Sequence, residues 1–240
     1  MVFFLMPAMS VLAVYVLAAI LPAAFLMRYI YRQDSVEKEP AGLLGSLVLM
    51  GILAALASIL LEMLGEQILP LLVSKSSPLY VIVLAFLVVA VVEEGTKFFF
   101  LYRRTWNDPN FNYRFDGVVY AVFTSLGFAA FENVKYVFHY GLSVAAPRAL
   151  LAIPGHMGFA VFMGIFYGRA KLCHDRGEEG KKVLNLAVGY LTAVFLHGFY
   201  DSCAMLSTTR STIVFVAFVA AMYFVVFRLI HRESATDTPV

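Results

Sequence analysis

The sequence predicts an all-α, polytopic membrane bundle of about seven transmembrane helices, with the N-terminus outside and the C-terminus cytoplasmic. Three observations support this. Of 240 residues, 61% are hydrophobic and only 14% charged, whereas a soluble domain is about half apolar and a quarter charged. Apolar stretches of the length that crosses a hydrocarbon core, about 20 residues each, recur along the chain. The segments between them alternate in basic charge, the pattern that sets orientation in a membrane.

The elements follow in order. The first span, 3–27, is apolar from its start, and its positive charges, Arg28 and Arg32, come after it. Without a basic n-region it reads as an uncleaved helix rather than a signal peptide. Further spans run over 41–61, 79–102, 115–138, 149–169, 183–205 and 211–230. Arg28, Arg32, Lys38, Arg103, Arg104, Arg114, Arg169, Lys171, Arg176, Lys181, Lys182, Arg228 and Arg232 flank one side, against Lys75, Arg148 and Arg210 on the other. Losing one span would exchange the sides of every later loop, so this asymmetry supports both the count and a cytoplasmic C-terminus. No connecting segment holds a soluble domain, and no internal repeat is visible. The chain 1–240 therefore reads as one transmembrane domain of a multi-pass cell-membrane protein.

Other classes are excluded at this level. A net charge of +2 with dispersed basic residues does not suit phosphate neutralisation on a nucleic acid. Cys173 and Cys203 fall on opposite sides of the membrane, so no disulfide and no cysteine metal motif is expected. Gly155, Gly158, Gly164 and Gly168 lie in the fifth span, where small residues allow close helix packing.

Two basic residues belong to no loop, Lys97 and Lys135, and with them in the spans stand Glu93, Glu94, Glu132, His156, His197 and Asp201. Each ionised group at mid-bilayer costs about 2.5–3.5 kcal/mol on insertion scales, so such residues face the bundle interior or a hydrated cavity. At about 1.5 Å per residue, Glu93 lies about 15 Å from the inner edge, His156 about 18 Å, His197 about 21 Å and Glu132 about 25 Å. Four helices thus contribute polar groups to one central-to-outer zone. Residues four apart share a helix face, so Glu93 is expected to pair with Lys97, and His197 with Asp201. Glu94 lies about 100° around the helix from Glu93. One of the two is then free for a catalytic task while the other pairs with a neighbouring helix.

The motifs read Glu93-Glu94-Gly95-Thr96-Lys97, Phe128-Ala129-Ala130-Phe131-Glu132-Asn133, Pro154-Gly155-His156 and His197-Gly198-Phe199-Tyr200-Asp201, in that order on four spans. This set resembles the PrsW family of intramembrane proteases, which is related to the type II CAAX prenyl endopeptidases. Glu132 stands where the prenyl enzymes have a histidine, which puts the likeness in the PrsW branch. The segment Asp34-Ser35-Val36-Glu37-Lys38-Glu39-Pro40 also resembles the family's cytoplasmic loop. The resemblance covers about Leu21 to Asp201. It implies hydrolysis of a peptide bond in a membrane-anchored protein substrate, with first-site cleavage of an anti-sigma factor in a stress response as the best-known family role.

Amide hydrolysis needs an activated water, a partner for the oxyanion and a proton for the leaving amine. In the expected arrangement Glu93 activates the water, His156 or His197 stabilises the oxyanion or shuttles the proton, and Asp201 orients His197. A metal version, with His156, His197 and a carboxylate from Glu132 or Glu93 holding Zn²⁺, stays open beside the glutamate-only version. Lys97, Phe128 and Asn133 are supporting residues. Lys97 reads as a counter-charge, Phe128 as packing and Asn133 as a cross-helix bond or a substrate contact. Lys135 is expected to snorkel to the interface, His139 to be solvated at the outer boundary, and His174 and His231 to carry no role. Rival readings are an ion- or proton-coupled transporter, against which no repeat or matching pair of broken helices is found, and a non-catalytic scaffold.

Overall fold

The computed structural model describes the backbone of residues 2–240 and side chains from Ser10 onward. Apart from one isolated bridge, Tyr113 to Pro239, the described residues are helical or in turns. Helix α1 is Val2–Gln33 and α2 is Ala41–Leu72. The third pass is one continuous run: α3, Tyr80–Val83, a π-helical segment, Leu84–Ala90, and α4, Val91–Thr105. Then come α5, Asp116–Tyr140, the short α6, Ala145–Leu150, and α7, Ala152–Asp175. Helices α8, Glu179–Leu206, and α9, Thr209–Ala235, complete the bundle.

Six of these passes are long and apolar enough to cross a membrane. The seventh, the π-containing one, carries Glu93, Glu94 and Lys97, which lower its hydropathy. This is the price of holding the site. Two expected boundaries move. The second pass extends from 61 to Leu72, with Pro70 inside its last turn, and its added turns carry Glu62 and Glu66. The fifth begins earlier, as α6, and is offset at Leu151, whose φ of −117° departs from the helical value.

Helix α5 is the axis of the bundle. Of its most apolar window 83% is buried, against 17% for α1 and 22% for α9. Small residues make this possible. A Cβ on Gly127 would stand 2.5 Å from the Val48 carbonyl oxygen, and one on Gly51 would stand 2.0 Å from that of Thr124, so α2 and α5 cross backbone to backbone. Gly164 and Gly168 of α7 bear on Gly117 of α5 in the same way. Such contacts substitute for the hydrophobic drive that lipid does not supply.

The two ends of the bundle differ. One end, the basic end, joins α1 to α2, α4 to α5 and α7 to α8 and carries most of the basic residues. There Asp116 Oδ2 accepts from the backbone N–H groups of Asn112 and Tyr113, at 3.0 and 2.7 Å. Asp237 Oδ1 accepts from Phe115 N–H at 2.9 Å, and Glu233 pairs with Arg114 and Arg169 at 3.2 and 3.5 Å. These contacts tie the C-terminal tail to the α4–α5 connection. The opposite end is splayed, and a cavity opens from it.

Candidate active site

The site begins with a local distortion. A π-helical turn takes in an extra residue and is found mostly at functional positions; here the π segment ends three residues before Glu93. It packs on α8, where a Cβ on Gly198 would come within 2.5 Å of the Phe86 ring. The glycine between His197 and Asp201 thus lets α8 approach the widened turn, so Glu94 and His197 meet.

Lys97 is the joint of the cluster. Its Nζ lies 3.1 Å from Glu93 Oε2, 2.8 Å from Glu94 Oε1 and 3.2 Å from His156 Nδ1. The ammonium also sits 4.0 Å from the centre of the Phe128 ring, a cation–π contact that strengthens where water is excluded. His197 brings Nδ1 to 2.8 Å from Glu94 Oε1, and Nε2 to 3.3 Å from Asp201 and 3.9 Å from Glu93 Oε2. His156 turns Nε2 toward Glu132 Oε2 at 3.2 Å. Phe159 stacks on the His197 ring at 4.9 Å. Glu93, Glu94, Lys97, His156 and His197 are all buried.

Every expected site residue thus enters one network, and the within-helix pairs form as their spacing implies. Glu94 proves to be the carboxylate that reaches a neighbouring helix. Phe128 packs under Lys97 and beside His156. Asn133 donates to the Ala19 carbonyl of α1 at 2.8 Å, a cross-helix bond. Lys135 is exposed and lies at the edge of the cavity.

Hydrogen-bond chemistry assigns protons here. An ammonium only donates, so His156 Nδ1 must accept from Lys97. A carboxylate only accepts when ionised, so His156 Nε2 must carry the hydrogen that meets Glu132. His197 faces carboxylates with both nitrogens, which calls for N–H on each. With His197 so charged, four carboxylates face three cations: Lys97, His197 and Arg148. One negative charge remains, and a buried excess of that kind is relieved by a proton or a bound cation.

A cavity of about 680 Å³ lies over this network and opens at the end opposite the basic one. Glu93, Glu132, His156, His197 and Asp201 line it. Glu94 does not; it lies behind Glu93, and its Oε2 is buried without a partner.

Three lining residues escape a reading of the sequence. Glu62 and Glu66 lie past the expected end of the second span, and Glu62 Oε1 is buried without a hydrogen-bond partner. Arg148, which reads as a loop residue, sends Nη2 to Glu132 Oε2 at 2.7 Å and Nε to Asn133 Oδ1 at 2.9 Å. Its guanidinium covers the Tyr136 ring at 3.8 Å. The available signal was its position, one of three basic residues on the sparsely charged side.

Glu93, Glu94, His156 and His197 each offer a ligand atom, and these atoms lie within 4.8 Å of one another, the one such group among the described residues. Two imidazoles and two carboxylates suit a zinc-like ion. The orphaned Glu94 Oε2 adds a free donor. Glu132 and Asp201 would then hold the outer nitrogens of the two histidines, as partner carboxylates commonly do. Lys97 already supplies a positive charge among three of the four donors, so a metal ion would share or displace that role. The residues therefore fit a divalent ion. Glu132 stands one hydrogen bond outside this group.

Comparison with known proteins comes to the same place. A family model described as "PrsW family intramembrane metalloprotease" matches residues 39–230. Among curated proteins, a "Protease PrsW" of Geobacillus kaustophilus (strain HTA426) is 30% identical over 224 residues, covering 92% of this chain and 93% of that protein. A "Protease PrsW" of Clostridioides difficile (strain 630) is 31% identical over 211 residues, 86% of each chain. That of Bacillus subtilis (strain 168) is 30% identical over 184 residues, 77% of this chain and 79% of the relative. No solved structure matches the chain.

Proposed function

Since the chain belongs to the PrsW family and is a multi-pass membrane protease, we propose that it cuts a membrane-anchored protein at the floor of the cavity, with Glu93 as general base. The observation that carries this reading is the unequal exposure of two adjacent glutamates. Lys97 and His197 both meet Glu93 on Oε2, and Glu93, unlike Glu94, lines the cavity. Glu94 is fully buried and committed to Lys97 and His197.

In this mechanism an extended segment of the substrate lies in the cavity with its scissile carbonyl near His197. Glu93 takes a proton from a water at the cavity floor, and the water oxygen attacks the carbonyl carbon. Charge that develops on the carbonyl oxygen is met by the His197 imidazolium, which Asp201 and Glu94 hold in place. Glu93 returns its proton to the amine nitrogen as the C–N bond breaks, so one water is consumed and the carboxylate is restored. Lys97 keeps the two glutamates from repelling each other. A divalent ion held by His156, His197, Glu93 and Glu94 would supply Lewis-acid polarisation and acidify the water.

The orientation follows from charge: with the basic end in the cytoplasm, the cavity faces the extracytoplasmic side. A cut there suits an anti-sigma factor with a single span, the substrate class that the resemblance suggests.

The test is reconstitution of the purified protein with a single-span anti-sigma factor from the same genome, with elemental analysis and chelation in parallel. Cleavage within the outer half of the span or just beyond it supports the reading. Cleavage of only the cytoplasmic part would refute the orientation. Stoichiometric zinc together with loss of cleavage on chelation selects the metal form; full activity in metal-free protein selects glutamate alone.

A further inference from the structure

The proposed mechanism leaves Arg148 without a task, yet its placement is specific. It lies on α6, the short helix at the cavity mouth, set off from α7 at Leu151. That offset is held from outside: Tyr223 of α9 donates to the carbonyls of Leu150 and Leu151 at 2.8 and 3.1 Å. From there Arg148 spans two groups of α5, Glu132 and Asn133, with separate nitrogens. Asn133 is in turn fixed on α1 through Ala19. The planar guanidinium is thus located by a carboxylate, an amide and the Tyr136 ring, a geometry that lysine cannot reproduce.

We propose that Arg148 is a positioning residue for the reaction: it holds Glu132 so that the carboxylate accepts from His156 Nε2–H, and this aims His156 Nδ1 at the Glu93–Glu94 centre. The chain of contacts is continuous. Arg148 meets Glu132 Oε2 at 2.7 Å, and the same oxygen meets His156 Nε2 at 3.2 Å. Ser125 fixes the other end of the residue by donating to the His156 carbonyl at 3.0 Å. Without Arg148, Glu132 has the cavity to turn into, since its side chain keeps 15% exposure. The imidazole would then lose the acceptor on Nε2 that holds its ring plane, leaving Lys97 at Nδ1 as the partner that fixes the ring. Outer partners of this kind typically change affinity or rate by about 10–100-fold.

The experiment has a spectroscopic arm and an activity arm; only the second rests on the proteolytic reading. Protein labelled with ¹⁵N-histidine is purified in detergent micelles, and His156 is assigned by its loss in His156→Gln. In the wild type, His156 is expected to show a protonated Nε2. In Arg148→Met the Nε2 signal should shift as its hydrogen bond to Glu132 weakens, while Nδ1 stays unprotonated against Lys97, with Arg148→Lys intermediate. Cleavage of the reconstituted substrate should fall about 10–100-fold in kcat with little change in KM. If Arg148→Met does not fold, Arg148→Lys, which keeps the charge, carries the comparison. Unchanged His156 signals in the folded variant overturn the proposal, whatever the cleavage rate. A wild type that cleaves nothing counts against the proteolytic reading and leaves the spectra to decide this one.

Discussion

Lys97 does most to define the site at the scale of single residues, because two carboxylates and an imidazole share its three hydrogens. Removing one member of a buried ionic group leaves the others uncompensated, at a cost of about 3–5 kcal/mol. Lys97→Met is therefore expected to lower the thermal midpoint of the detergent-purified protein markedly. Adding Glu94→Gln should recover part of the loss, since one of the stranded charges is then gone. A Lys97→Met midpoint equal to that of the wild type would mean that the cluster is not ionised as drawn. The within-helix pairs of this network were legible from spacing, since Glu93 and Lys97, and His197 and Asp201, stand one turn apart. Which glutamate faces the cavity was not, because the preceding π turn rotates the helix by an amount that no hydropathy pattern records. Arg148 escaped for a different reason: a lone arginine in a connecting segment looks solvated until α6 is seen folding it inward.

Among the elements, α5 and its crossings decide whether the four motif-bearing helices converge. Gly127→Val would drive a side chain into the Val48 carbonyl, already 2.5 Å from a Cβ at that position. Overpacking of this kind costs about 1–3 kcal/mol. The variant is expected to melt earlier and to lose cleavage with it, while Gly180→Ala, with open space around it, should do neither. The connection between α1 and α2 makes a separate point about pH. Burial pushes the Glu39 carboxyl up from its ordinary 4.5 to about 7, and Asp34 from 3.8 to about 6. Both groups hold their proton longer in the folded chain than in the unfolded one. Their contribution is therefore fully present at acid pH and is lost as pH rises toward about 7. Melting curves should show the thermal midpoint falling over that interval, with a shallower fall in Glu39→Gln. An equal fall in the variant would remove Glu39 as the cause. The spans themselves were legible because about 20 apolar residues announce a crossing. The end of α2 was not, because Glu62 and Glu66 look like a boundary until a polar cavity beside them lets the helix continue.

For the whole molecule, the central feature is a cavity over ionisable groups drawn from five separate passes. Order of motifs and alternation of basic charge were enough to anticipate both the bundle and the convergence. The cavity's outline was beyond them, since it depends on how α2, α8 and α9 splay. Orientation is checked by labelling. In a Cys173→Ser, Cys203→Ser background, Ser207→Cys on the turn between α8 and α9 should react with a membrane-impermeant maleimide on intact cells. Reaction only after lysis would place the cavity in the cytoplasm.

The central claim is that this buried carboxylate and imidazole centre hydrolyses a peptide bond, and it is tested most directly by one comparison. Wild-type protein and Glu93→Gln, matched in thermal midpoint, are reconstituted with the same single-span substrate, and the products are weighed by mass spectrometry. Two fragments whose masses add up to substrate plus one water are expected with the wild type, and intact substrate with the variant. Equal turnover by Glu93→Gln would contradict the claim.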